Sequence, residues 1–105
     1  MEDTTKIYIG KVLKRLRKSQ QLSQEGLANR TPFDRSYISI LERDLKKPRL
    51  DTIMDLAAGL DMKASDFVKE IEEHPENKWL IEQFQNTAPR IFQLLITCSF
   101  YSFLL

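Results

Sequence analysis

The sequence predicts an all-α fold: a compact bundle of five short helices followed by a helical C-terminal extension. Three observations carry that expectation. Apolar residues recur at three- and four-residue spacing in successive segments, the period of a helix with one buried face. Capping residues and prolines punctuate those segments at close intervals. Glycine is scarce, with 3 in 105 residues, whereas a β-sandwich needs many turn residues. A chain of this length forms one small domain and little else. Such a domain buries a modest share of its surface, which leaves room for stabilisation by self-association.

The first helix is expected from about Thr5 to Gln20, with Ile9, Val12, Leu13 and Leu16 on its buried face. Ser23 then offers an N-cap for a short second helix, Gln24 to Arg30, with Leu27 and Ala28 turned inward. Thr31-Pro32-Phe33 ends it, because proline disfavours a helical residue before it. Asp34 caps a third helix, Arg35 to about Arg43, whose inner face is Ile38 and Leu41 with Tyr37 beside them. The polar, basic stretch "DLKKPR" is a loop. A fourth helix starts at or near Asp51, with Ile53, Met54, Leu56, Ala57 and Leu60 as its apolar stripe. Ser65 caps a fifth, with Phe67, Val68 and Ile71 facing in.

Composition shifts after "EEHPEN", so the chain divides into a domain over 1–75 and an apolar extension over 76–105. Trp79, Leu80, Ile81 and Phe84 suggest a sixth helix, stopped near "NTAP". Residues 91–105 carry no charge. As a helix they would span about 22 Å, short of the roughly 30 Å hydrocarbon core of a bilayer. Three readings of this tail stand open: a helix packed on the domain or in a dimer interface, a truncated end, and a membrane-surface anchor. Exposed, it would be an aggregation hazard.

The net charge of +1 says nothing of nucleic acid by itself. Its distribution says more. Lys6, Lys11, Lys14, Arg15, Arg17 and Lys18 form an acid-free front, whereas Asp51 to Glu76 is dominated by acids. Such an asymmetry suggests a molecule that meets a polyanion with one end.

Catalysis finds no footing in the sequence. The one histidine, His74, adjoins Pro75 and reads as a surface residue. Adjacent acids such as Glu72 and Glu73 point apart on a helix. No metal-ligand spacing, glycine-rich phosphate loop or nucleophile elbow is present, so neither enzyme activity nor a cofactor is expected. Cys98 stands alone and makes no internal disulfide. The N-terminus has no basic segment leading into an apolar run, so no secretory signal is expected and the default compartment is the cytoplasm.

Two short helices joined by a tight turn in an all-helical domain make a helix-turn-helix candidate. The second helix of such a unit exposes polar side chains near its N-terminus to base edges, and its far face must be apolar to seat it. "DRSYISILERD" meets both demands: Arg35, Ser36, Ser39 and Ile40 share the outward side, opposite Ile38 and Leu41.

Over about Ile7 to Ile71 the chain resembles the lambda-repressor-like, or Xre-type, helix-turn-helix domain. The resemblance rests on separated features in one order: "LRK" closing the first helix, "LSQE" and "LA" on the second, "SYIS" and "LER" on the third, a basic loop with Pro48, and "LAAGLDM" on the fourth. "FDRSYISILER" is most similar to restriction–modification controllers and phage-type repressors. The resemblance implies five helices, dimeric binding to a palindromic site on double-stranded DNA, and regulation of transcription. It implies roles for matching residues too. Gln24 would clamp a phosphate and brace the reading helix. Arg35 and Ser36 would face bases, with Ser39 one turn later. Tyr37 would pack its ring on the domain and offer its hydroxyl to a phosphate. Arg43, Lys46 and Lys47 would clamp the backbone, which fixes register without reading sequence. Arg17 and Glu42 would form a structural ion pair joining the first helix to the third. Ile40 has two readings: contact with a thymine methyl, or a seat against sugar or solvent.

The chain departs from the family pattern at four places. Pro32 stands where the turn usually has glycine, so the turn must be remodelled around it, with Phe33 still plugging the core. Gly26 replaces an acidic residue and loses a capping-box partner for Ser23. Asp44 and Asp61 sit where glycine commonly ends a helix. A reading from another class is a protein-interaction or membrane-surface module, acting through the apolar tail with DNA binding weak or lost.

Overall fold

The computed structural model describes residues 6–83, and among these every regular element is helical. The order is α1 (Gly10–Ser19), α2 (Gln24–Ala28), α3 (Arg35–Glu42), α4 (Leu50–Gly59) and α5 (Ala64–Glu73). A further helical stretch covers 75–83. The predictions concerning Phe84, Cys98 and the 91–105 tail lie outside the described residues. α3 packs against both α2 and α1, and α4 against α5. Val12, Leu13, Leu27, Ile38, Leu41, Leu56, Leu60 and Phe67 form the sealed centre of the bundle.

Both caps read from the sequence around the turn are present. The Ser23 hydroxyl accepts the Gly26 N–H at 2.9 Å, and the Asp34 carboxylate accepts the Tyr37 N–H at 2.7 Å. These bonds satisfy amides that have no carbonyl partner in the first turn. The turn around Pro32 is built without a left-handed residue. Thr31 supplies the link instead: its hydroxyl donates to the Ala28 carbonyl at 3.0 Å and accepts the Phe33 N–H at 3.3 Å. Phe33 is half-buried against the core, as the sequence suggests.

Three helices end in the same way. Gln21, Asp44 and Asp61 have φ of 58°, 56° and 55°. In each case the next amide reaches back five residues: Leu22 to Arg17, Leu45 to Ile40, and Met62 to Ala57. This is the Schellman closure, usually given to glycine. Asp44 and Asp61 are legible in the sequence as tolerant substitutes, whereas Gln21 is not.

Three local expectations are corrected. α1 begins at Gly10, because residues 6–9 run non-helically and are fixed by distant partners. The Asp44 carboxylate accepts the N–H groups of Ile9 and Gly10 at 3.1 and 2.8 Å, so a residue beyond α3 caps α1. α5 is entered at Lys63, placing Ser65 inside its first turn rather than at its cap. Met54 lies off the buried stripe of α4 and is 56% exposed.

The first turn of the 75–83 stretch is tied into the domain by Asn77, which has no solvent exposure. Its amide oxygen accepts the Tyr8 N–H at 2.7 Å, and its nitrogen donates to the carbonyls of Tyr8 and Ile71 at 2.7 and 2.8 Å. Trp79, one of the residues that suggest this helix, is 62% exposed.

Candidate nucleic-acid interface

α3 has two faces with different chemistry. Ile38 and Leu41 are buried and anchor the helix to the core. On the other side Arg35, Ser36, Ser39, Ile40 and Arg43 follow one another at the spacing of a single helical face. Together with Gln24 from the first turn of α2 they line one shallow recess of about 270 Å³. Six sequence-predicted residues from two helices thus meet at one place. Arg35 and Ser36 are exposed, while Gln24, Ser39 and Ile40 are half-buried. Arg43 lays its Nε–H toward the Ser39 carbonyl at 3.3 Å, which bends this side chain back along the helix.

The other predicted residues sit around the recess, not in it. Tyr37 is half-buried, its ring 5.0 Å from that of Phe33 with the planes tilted by 53°. Lys46 and Lys47 are exposed on the loop after α3. Among the described residues no cluster of histidine, cysteine, aspartate or glutamate could hold a metal ion.

Two clamps set where α3 lies. The first is the Arg17–Glu42 pair: Nε and Nη2 of Arg17 donate to the two carboxylate oxygens of Glu42 at 2.8 and 2.9 Å. This fork matches the planar carboxylate oxygen for oxygen. Arg17 Nη1 donates to the Leu22 carbonyl at 2.7 Å, so the guanidinium ties α1, α3 and the α1–α2 loop together. The second clamp is Asp44, which joins the end of α3 to the start of α1. Between them α1 and α3 touch at Gly10, where a Cβ would lie 2.2 Å from the Leu41 carbonyl oxygen. Sequence reasoning missed the Asp44 and Gly10 contacts, since nothing in local pattern pairs residues so far apart.

The basic front meets the acidic back in two ion pairs on the surface of the bundle. Lys11 pairs with Glu76 and Arg15 with Glu70, both at 2.7 Å. The Glu76 carboxylate holds the Lys11 ammonium above its ordinary range, and Lys11 in turn holds Glu76 below the usual carboxylate range. Lys6 and Lys11 also lie over the Tyr8 ring, at 5.3 and 4.4 Å from its centroid. Of the N-terminal cations, Lys6, Lys11, Arg15 and the buried Arg17 therefore have partners within the domain.

Among the described residues no helix is long and apolar enough to cross a membrane. Comparison with known proteins places this architecture. A helix-turn-helix family model matches residues 13–67, from within α1 to within α5. The chain is 37% identical over 68 residues to the control protein C.MunI of a Mycoplasma species, covering 64% of this chain and 92% of that one. It is 36% identical over 62 residues to the immunity repressor protein of Bacillus phage phi105, which covers 59% of this chain but 43% of that repressor. The chain thus spans less than half the length of this relative. Among solved structures, the restriction-modification controller C.AhdI from Aeromonas hydrophila aligns with a TM-score of 0.55 and 36% identity, over 58% of this chain and 92% of the controller. The controller C.Esp1396I aligns with a TM-score of 0.58 and 27% identity, over 70% of this chain and 100% of that chain. With the α2–turn–α3 unit inside the matched region, the chain belongs to the Xre-type helix-turn-helix family of transcriptional regulators, a family of DNA-binding proteins rather than enzymes.

Proposed function

We propose that this protein binds a specific double-stranded DNA site as a homodimer, reads it with α3 in the major groove, and regulates transcription in the cytoplasm. The observation that carries the reading is the recess at which Gln24, Arg35, Ser36, Ser39, Ile40 and Arg43 converge. A B-form major groove, about 12 Å wide, admits a helix whose outer face is dressed in this way. Arg35 is the base reader of greatest consequence. Its guanidinium is exposed at the start of α3 and suits guanine O6 and N7, a contact worth ~1–3 kcal/mol of discrimination. Ser36 and Ser39 read edges beside it. Gln24, Tyr37, Arg43, Lys46 and Lys47 hold phosphates and fix register.

A second surface supports the dimer. Leu50, Met54, Ala64, Ser65, Val68, Lys69 and Glu72 line an apolar groove of about 360 Å³ between α4 and α5. Leu50 is 68% exposed, an unfavourable state for a leucine beside other apolar groups. Lys69 and Glu72 bring opposite charges to this same groove, as a surface that pairs with a second copy of itself requires. The paired α3 helices would then enter successive major grooves ~34 Å apart on a palindromic site.

Binding-site selection from random duplexes with the purified protein tests this reading. The expected result is an enriched two-fold symmetric sequence with half-sites about one helical turn apart. Failure to enrich any sequence refutes specific recognition, and enrichment of a lone half-site refutes the dimer.

A further inference from the structure

We infer that Ile40 is a specificity determinant that reads the C5-methyl group of a pyrimidine in the major groove, the thymine methyl in ordinary DNA. The inference rests on the proposed seating of α3 in the groove and extends it to a residue type that makes no hydrogen bond. Five of the six side chains lining the recess are polar or charged, and Ile40 is the sixth. It belongs to the same helix face as Arg35, Ser36 and Ser39, and opposite the buried Ile38 and Leu41. Core packing therefore does not account for it. Nor is it an isolated surface residue, because it stands half-buried within a concave wall.

The major groove offers one apolar feature, the methyl on C5 of thymine. An isoleucine on a helix suits that feature. Branching at Cβ leaves essentially one favoured χ1, so contact costs little side-chain freedom. Its partial burial means that much of its apolar surface is already out of water, and the exposed remainder faces into the recess. Hydrogen-bonding neighbours on either side would hold the base edge in place while the methyl closes against the side chain.

The position along α3 makes the inference more specific. Ile40 follows Arg35 by five residues, about 7.5 Å of helix at ~1.5 Å per residue. Base pairs stack ~3.4 Å apart. The methyl-sensitive pyrimidine should accordingly lie within about two base pairs of the pair that depends on Arg35.

Deoxyuridine supplies the test, since it differs from thymidine only by the C5 methyl. On the selected duplex, each thymine of a half-site is replaced in turn by uracil and binding of the full chain is measured. One thymine per half-site, within about two base pairs of the Arg35-dependent pair, should show about three- to fivefold weaker binding, the worth of one buried methyl. Ile40→Ala should weaken binding to the thymine duplex and make that thymine and uracil equivalent. Ile40→Val, which keeps the branch point, should retain most of the preference and guards against a folding defect in the alanine variant. Placing cytosine or 5-methylcytosine at the same position separates the methyl from the identity of the base pair: the methylated base should bind more tightly in the wild type and not in Ile40→Ala. The inference is overturned if no thymine is sensitive to uracil in a duplex that the wild type binds specifically. It is equally overturned if the thymine preference persists in Ile40→Ala. If no duplex is bound specifically at all, it is the seating of α3 that has failed.

Discussion

Replacing Glu42 with alanine should strongly destabilise the domain without redirecting its sequence preference. The Glu42 side chain is 2% exposed and that of its partner Arg17 9%, so water serves neither to any extent. Alanine at 42 removes both acceptors of the fork, at 2.8 and 2.9 Å, and leaves Arg17 charged inside the bundle with only the Leu22 carbonyl. Breaking one half of a buried pair costs ~3–5 kcal/mol, because the remaining charge is stranded. A small domain has about 5–15 kcal/mol in total, and 1 kcal/mol moves the midpoint of a domain of this size by ~4–8 °C. The expected fall in Tm is therefore at least about 12 °C, followed by far-UV circular dichroism. A second variant separates the charge effect from general fragility. Arg17→Met together with Glu42→Leu removes both charges and should recover most of the loss, since apolar replacement of a buried pair is often neutral. It should stay about 1 kcal/mol below the wild type, for the bond to the Leu22 carbonyl is also gone. A Glu42→Ala protein melting within about 2 °C of the wild type would refute the reasoning, and so would a double variant no better than the single one.

Gly10→Ala should destabilise by ~1–3 kcal/mol or more even though alanine is the better helix former, because its Cβ would lie 2.2 and 2.6 Å from the carbonyl oxygens of Leu41 and Glu42 and backbone cannot step aside; urea titration gives the sign. Asn77→Ala should cost ~1–3 kcal/mol by leaving the Tyr8 amide and two carbonyls without their partner, and amide exchange should quicken first at residues 8 and 9. Glu76→Gln should be slightly destabilising near neutral pH. Since the folded carboxyl titrates below its ordinary value of 4.5, the wild type's advantage is present above that value and disappears as pH falls through the folded pKa, which melting curves at several pH values would resolve.

What the sequence reveals and what it hides divide along physical lines. Features governed by neighbours in the chain are legible. Asp34 and Ser23 cap because their oxygens reach amides three residues on. The α3 faces follow from helical period alone, which names Arg35, Ser36, Ser39 and Ile40, whereas Gln24 and Arg43 are named by the family resemblance. Features governed by residues far apart are not. The start of α1 is displaced to Gly10 by a carboxylate 34 residues away. Asn77 carries no local sequence signal of burial, yet it is sealed between Tyr8 and Ile71, 69 and 6 residues distant. The basic N-terminal run looks like a surface for a polyanion, but Lys11 and Arg15 pair with Glu76 and Glu70 across the bundle surface. Met54 belongs to the apolar stripe of α4 by sequence, yet it stays exposed beside Leu50.

The claim that α3 reads base sequence, with nearby lysines supplying charge alone, is tested most directly by comparing Arg35→Ala and Lys46→Ala. Both variants and the wild type would be titrated with the selected duplex and a scrambled one over a range of salt concentrations. Arg35→Ala should lose much of the ratio between the two duplexes. Lys46→Ala should bind both more weakly, keep their ratio, and show a salt dependence shallower by about one ion. An Arg35→Ala protein that keeps the full wild-type ratio would contradict the account.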